Sequence, residues 1–299
     1  MNPRDLRLLW EVATSGSVTR AAERTRISQP AASAAIRQIE EQLGFELFTR
    51  DKRRLVLTPK GRALLPEISN ALAALSSLDR LTDELRTDTA HRITIACTTS
   101  ASTTVVPPAA RCLREAMPRA RIVVRTGLSV DIATMVAEQR VDFGVVVGDL
   151  VPQGCGVADI GSLGLYAIMP PDTDLASQAR VSLHALSERD FITLDRKLQI
   201  GALAARKFEE AGLTFSPTVE VMQFSAACAF AEAGYGIAIL DALSIPLARK
   251  LGLVARPLDI ADRIPFRLLW PKTTALVKHA EAFSQSLQQA VRAACAEGP

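Results

Sequence analysis

Ile27-Ser28-Gln29-Pro30-Ala31-Ala32-Ser33-Ala34-Ala35-Ile36-Arg37-Gln38-Ile39-Glu40-Glu41-Gln42-Leu43-Gly44 contains a complete set of helix signals. Ser28 is a good N-cap, and Pro30 is tolerated in the first turn because the N–H groups there have no intrahelical acceptor. Ala32, Ile36, Ile39 and Leu43 step by 4, 3 and 4, which makes one buried stripe. Gly44 closes the helix as a C′ glycine. Gln29, Ser33 and Arg37 fall on another line, four residues apart. They are short or fork-shaped hydrogen-bonding groups, suited to base edges and phosphates in a major groove. Taken alone, such a face is an ordinary solvated one, so the flanking sequence has to decide.

Upstream, Leu6, Leu9 and Ala13 predict a helix over about residues 3–14, ended by Gly16. Ser17 caps a short helix from Val18 to about Arg24, whose Val18, Ala21 and Ala22 allow close packing. Two short helices joined by a tight turn form a helix-turn-helix. Downstream, Leu47-Phe48-Thr49-Arg50 and Leu55-Val56-Leu57-Thr58 flank Asp51-Lys52-Arg53-Arg54. This reads as a β-hairpin wing whose Arg50, Lys52, Arg53 and Arg54 neutralise backbone phosphates. The charge agrees: residues 1–62 hold 12 Lys/Arg against 7 Asp/Glu, residues 63–90 hold 2 against 5, and residues 91–299 hold 21 against 20. A basic module on a near-neutral body points to a polyanion partner for that module alone.

Ala21-Ala22-Glu23, the run from Ile27 to Ser33, Ile36 to Gly44, Leu47 to Arg50, and Leu57-Thr58-Pro59-Lys60-Gly61 together resemble the LysR-type transcriptional regulators, in order over nearly all of residues 1–65. The resemblance implies that Ser28, Gln29, Pro30, Ser33 and Arg37 read double-stranded DNA while the wing basics hold phosphates. It also implies no catalytic role and no cofactor. Thr25 stands where a bulky residue is usual, a departure that bears on the packing of the turn.

Thr58 and Pro59 open a third predicted element. Leu65, Ile68, Leu72 and Leu75, continued by Leu78, Leu81 and Leu85, mark one apolar stripe on a helix reaching about Arg86. At 1.5 Å per residue it is roughly 42 Å long, and such a stripe wants a partner helix. Pro66 removes a backbone hydrogen bond in the second turn and predicts a bend. By the resemblance this helix makes a homodimer, and pairs of dimers give the expected homotetramer. Thr87-Asp88-Thr89-Ala90 is the hinge.

The domains expected are therefore a winged helix-turn-helix over 1–58, a linker helix over 59–90 and an effector domain over 91–299. Beyond residue 91, apolar runs alternate with helical patterns: Ile93 to Ala96, Ile122 to Val124 and Val145 to Val147, then Tyr166 to Ile168, Phe191 to Leu194, Val219 to Val221 and Ile237 to Leu240. The alternation predicts parallel sheets covered by helices. Two such sublobes (91–162 with 268–299, and 163–267) resemble the α/β type 2 periplasmic-binding-protein fold, which is the effector domain the resemblance implies. The last helix, with Leu276, Phe283, Leu287 and Val291, should return to the first sublobe.

Ligands of open α/β sheets sit beyond the carboxyl ends of strands. Residues Thr98 to Thr104 carry six hydroxyls in seven positions after the first such strand. Helix N–H groups and hydroxyls together favour a carboxylate. Thr98, Thr99, Ser100 and Ser102 are the candidates there. The resemblance adds Ser129, and matching junctions in the other sublobe add Thr193, Leu194, Phe224 and Ser225. Arg196 and Lys197 could add positive charge there, but a solvated loop is the favoured reading for both. Short motifs around Phe191 to Asp195, Ala226 to Phe230 and Gly234 to Ala238 faintly resemble the opine- and amino-acid-responsive branch of the family.

Other classes are disfavoured. With 48% apolar and 22% charged residues among 299, the chain is an ordinary globular one of two or three folding units. No apolar run approaches the ~18 residues of a membrane span, and no h-region opens the chain, so a cytoplasmic protein without membrane contact is expected. Cys97, Cys112, Cys155, Cys228 and Cys295 are scattered, and His91, His184 and His279 have no metal-ligand spacing. An enzyme built on residues 91–299 would need a base or phosphate loop near the hydroxyls, which the sequence does not supply locally. A purely architectural DNA binder would not need the two-lobed domain. Cys97 as a redox sensor is disfavoured because partnerless cysteines in apolar runs are mostly buried.

Overall fold

The computed structural model describes residues 1–51, 54–87, 92–272 and 276–296. The chain divides into two compact units, Met1–Asp88 with Ala137–Arg140, and Thr89–Val136 with Val141–Pro299.

In the amino-terminal unit, α1 (Pro3–Ser15) is opened by an Asn2–Asp5 capping box and closed by Gly16 at φ 64°. Its buried residues are Leu8, Leu9, Trp10 and Val12. Of the residues whose spacing predicted this helix, Leu9 is buried, and Leu6 and Ala13 pack partly against the core. α2 (Val18–Thr25) starts at Ser17, whose hydroxyl accepts from the Arg20 N–H. α3 (Gln29–Leu43) starts at Ser28, which accepts from the Ala31 N–H, and ends at Gly44 with φ 73°. The turn between α2 and α3 is closed by Arg26 in the left-handed region at φ 58°. Thr25, the departure noted above, is half-buried and satisfies its hydroxyl on the Ala21 carbonyl at 2.7 Å. A side-chain hydrogen bond thus takes the place of bulk.

The wing pairs β1 (Phe48–Asp51) with β2 (Arg54–Leu57) in antiparallel register, Phe48 opposite Leu57. Lys52 and Arg53 lie outside the described residues. α4 (Pro59–Thr87) runs through Pro66, and the Gly61 N–H donates to Thr58 Oγ1 at 3.0 Å. Ile68 and Leu72 are buried in the core of the unit's own helices, with Leu65 partly packed there. Leu78 is 59% exposed. The first half of the stripe therefore completes the head, and beyond it Leu75 is half-buried and Leu78 exposed. Leu81 and Leu85 lie outside the described side chains.

The second unit continues with β3 (Arg92–Cys97), α5 (Thr99–Thr104), α6 (Val106–Ala116), β4 (Arg121–Thr126), α7 (Ser129–Ala137), β5 (Phe143–Val147) and β6 (Cys155–Leu163). Next come β7 (Leu165–Met169), α8 (Leu183–Ser187), β8 (Phe191–Leu194), α9 (Gln199–Glu210), β9 (Val219–Val221) and α10 (Phe224–Glu232). The chain closes with β10 (Ile237–Asp241), α11 (Ile245–Lys250), β11 (Val254–Pro257), β12 (Ile264–Pro271) and α12 (Val277–Ala296). Two five-stranded sheets form, in the orders β4-β3-β5-β12-β6 and β11-β7-β10-β8-β9. They are mixed sheets, contrary to the expectation of parallel ones. β3, β4 and β5 are mutually parallel, as are β8, β9 and β10, but β12 runs antiparallel to β5 and β6, and β7 antiparallel to β10 and β11. The antiparallel strands are those by which the chain crosses between sheets, at Gly164 and again between Pro257 and Ile264. The return to the first sheet thus begins at Ile264, inside the span read from sequence as the second sublobe.

α12 packs on α6 and β6, and Phe283 meets Phe143 with ring centroids 5.1 Å apart. In the other lobe Phe191, Phe208 and Phe215 make a three-ring cluster. No helix among the described residues is long and apolar enough to cross a membrane.

Candidate functional site

On α3, the buried stripe orients the rest of the helix. Ala32, Ile36 and Ile39 face the core, which leaves Gln29, Pro30 and Arg37 exposed and Ser33 half-exposed. Gln29 Nε2 donates to Ser33 Oγ at 3.1 Å, so these two amide and hydroxyl groups are already aligned along one line of the helix. Ser28 is exposed and spends its hydroxyl on capping. The wing carries Arg50 and Arg54 on paired strands, Arg50 opposite Leu55 and Arg54 opposite Asp51. Exposed Arg20, Arg26 and Gln38 lie on or beside the same two helices. Sequence reasoning passed over them because only the fold shows which residues the helix-turn-helix leaves outside.

In the second unit a cavity of about 360 Å³ opens at the carboxyl ends of all six parallel strands. Its wall takes Thr98 after β3, Thr126 from β4, Val147 from β5, Leu194 from β8, Met222 after β9 and Asp241 from β10. Three helices of nine residues or more begin there. α7 starts at Ser129, α9 at Gln199 and α10 at Phe224, and all three residues line the cavity. The N-caps of α9 and α10, Leu198 and Gln223, provide no side-chain cap. First-turn N–H groups have no intrahelical acceptor, and a helix N-terminus carries about half a positive charge. Each such terminus contributes ~0.3–2 kcal/mol toward an anion, the larger value where burial limits screening.

The hydroxyl loop is divided. Thr98, Thr99 and Ser100 line the cavity. Thr98 Oγ1 is buried and makes no hydrogen bond with the protein. Ser102 is a correction. Its hydroxyl turns back onto the Thr99 carbonyl at 2.7 Å and does not reach the cavity. Thr103 likewise bonds Ser100 O, and Thr104 bonds Leu243 O at 2.9 Å. On a short helix, hydroxyls three or four residues past a carbonyl are captured by it. Ser129 is buried and accepts the Val147 N–H at 3.1 Å, leaving its own proton available to donate into the cavity.

The far wall holds Leu194 and Phe224 as expected, but neither Thr193 nor Ser225 lines the cavity. Strand side chains alternate, so the neighbour of Leu194 faces away. Thr193 is fully buried, with its hydroxyl on the Leu194 carbonyl. Ser225 is one helical step round α10 from Phe224 and half-buried. Lys197 is exposed, in keeping with its reading as solvated, and also lines the cavity. Its N–H donates to Asp195 Oδ1 at 2.7 Å, and that turn aims the loop at the cavity. Gly201 lets α9 press onto the strand end: a Cβ there would collide with the Leu194 and Asp195 carbonyls.

Asp131 and Asp241 complete the ionisable lining. Asp241 is 3% exposed, and burial pushes its carboxyl up to about 6 against the opposing pull of the Leu243 and Ser244 N–H groups. Sequence gave no signal for it, since one Asp at the end of an apolar run carries no motif. Cys97 and Cys228 are fully buried, and burial pushes each thiol up to about 12. No group of three His, Cys, Asp or Glu among the described residues is placed to hold a metal.

Residues 3–62 match the family described as the bacterial regulatory helix-turn-helix protein, lysR family, and residues 86–292 match the LysR substrate binding domain. The transcriptional activator protein LysR of Escherichia coli is 27% identical over 96% of this chain and 93% of its own length. The HTH-type transcriptional regulator IlvR of Caulobacter vibrioides is 30% identical, covering 88% of each chain. Among solved structures, a Corynebacterium glutamicum OxyR C206 mutant superposes with a TM-score of 0.60 at 19% identity, covering 99% of this chain and 94% of that one. The matched residues span both units, and the chain belongs to the LysR family of transcriptional regulators, with a helix-turn-helix head and an effector-binding domain.

Proposed function

We propose that this regulator binds double-stranded operator DNA through α3 and that a small carboxylate-bearing effector in the cavity changes that binding or the bend it imposes. Ser28, Gln29, Pro30, Ser33 and Arg37 meet the groove, and Arg50, Lys52, Arg53 and Arg54 meet the phosphates beside it. α4 pairs two chains beyond Leu72, two-fold symmetry then sets paired half-sites, and dimers associate into a tetramer. Such a protein works where the chromosome is, in the cytoplasm.

The observation that carries the effector reading is the convergence of three helix N-termini, two of them without side-chain caps, on one cavity that also holds a buried, unbonded Thr98 hydroxyl. Donors of this kind, with no acceptor of their own, fit a carboxylate. Thr98, Thr99, Ser100 and Ser129 supply hydroxyls, while Leu194 and Phe224 supply the apolar floor. Thermal-shift measurements with a panel of small mono- and dicarboxylates test this. At least one should raise the midpoint of the effector unit, and Ser129→Ala should cut that rise. A panel that leaves the midpoint unmoved rejects the reading. The faint resemblance to the opine- and amino-acid-responsive branch makes nitrogen-bearing acids the first to try.

A further inference from the structure

The donors described above account for a negative group, yet the ionisable side chains of the cavity wall are Lys197, Asp131 and Asp241, so carboxylates line it as well. Asp241 is the unusual one. It sits at the carboxyl end of β10, 3% exposed, and no cation among the described residues forms an ion pair with it. Its Oδ1 accepts the Leu243 N–H at 2.8 Å, which caps the short turn over Ala242–Ser244. Capping explains the acceptor atom and not the charge, because asparagine or serine caps equally well without placing a carboxylate inside the protein. A carboxylate removed from water needs a counter-charge, and a pair formed there is shielded from solvent screening. An effector bearing only a carboxylate would add another negative charge to this wall.

We infer that the effector is a zwitterion, with a protonated amino group received by Asp241 and a carboxylate received by the hydroxyls and helix N-termini of the same cavity. The inference rests on the carboxylate reading and narrows it to amino acids and their N-substituted relatives. Asp241 is then the specificity-determining residue: it rejects plain carboxylates by repulsion and accepts those carrying the compensating ammonium.

Isothermal titration of the full-length protein with the twenty proteinogenic L-α-amino acids, and with the des-amino acid of each skeleton, tests it. At least one amino acid should bind, with its des-amino counterpart at least tenfold weaker. Asp241→Asn keeps the cap acceptor. It should weaken the amino acid at least tenfold while leaving the des-amino acid no weaker than before, a split that general structural damage would not produce. The wild-type comparison needs no variant and stands if Asp241→Asn fails to fold. Des-amino acids binding as tightly as the amino acids overturn the inference and leave the carboxylate reading intact. Binding by neither series also overturns it, and the carboxylate panel then decides the wider reading separately.

Discussion

Asp241 shows how one buried group can carry two measurable consequences. Its carboxyl titrates near 6 in the folded chain against an ordinary 3.8, so the native state holds its proton more tightly than the unfolded one. The folded state therefore gains from Asp241 below pH 3.8, and this gain is lost as the pH rises through about 6. The loss is on the order of 3 kcal/mol. Urea unfolding between pH 4 and 7 should show wild type losing stability relative to Asp241→Asn over this window; parallel curves would refute the assignment. Arg37 and Lys52 separate the two kinds of DNA contact. Arg37→Ala should cost ~1–3 kcal/mol at the specific operator, whereas Lys52→Ala should weaken all sequences alike and lower the salt slope by about 1. Fluorescence anisotropy with operator and scrambled duplexes distinguishes them, and the reverse pattern would exchange their roles. Cys97 and Cys228, held as neutral thiols by burial, should resist iodoacetamide in the native protein, as read by intact mass and peptide mapping.

At the scale of the element, α4 and α9 each do two things. The first half of α4 belongs to the head's core, so Ile68→Ala should destabilise by ~2–5 kcal/mol, as for other large-to-small core changes. The exposed Leu78 lies past that core. Leu78→Glu should leave the head folded and shift sedimentation equilibrium toward monomer. α9 is brought against the end of β8 by the missing side chain at Gly201. Gly201→Ala should lift the helix start from the cavity and reduce ligand-induced thermal shift more than it reduces the apo midpoint. The hydroxyl loop also shows an element's limits: half of its hydroxyls are consumed by backbone within the helix or by Leu243, and only those at its start remain for a ligand.

For the whole molecule the proposal is one of linkage. If the effector alters DNA binding, DNA must alter effector affinity by the same factor. Titration of effector into protein with and without operator should give different dissociation constants, and equal ones would remove the coupling while leaving both binding activities in place.

The amino-acid sequence by itself determined the head. The caps at Ser17 and Ser28, the glycines at 16 and 44 and the stripe from Ala32 to Ile39 are local signals, with every partner within a few residues, and helix physics is local. It also placed Thr98, Thr99, Ser100, Leu194 and Phe224 at strand–helix junctions, because strand–helix alternation is legible from hydrophobic period, while Ser129 came from the family resemblance. Only the tertiary structure decided which sheets were mixed, since antiparallel β12 and β7 are set by crossovers between lobes. Only the tertiary structure separated Leu194 from Thr193 and Phe224 from Ser225, and it alone brought Lys197 and Asp241 into the wall. Those outcomes depend on residues up to about 140 positions apart, Thr98 and Asp241 among them, and no local pattern encodes which side of a strand will face a cavity closed by another lobe.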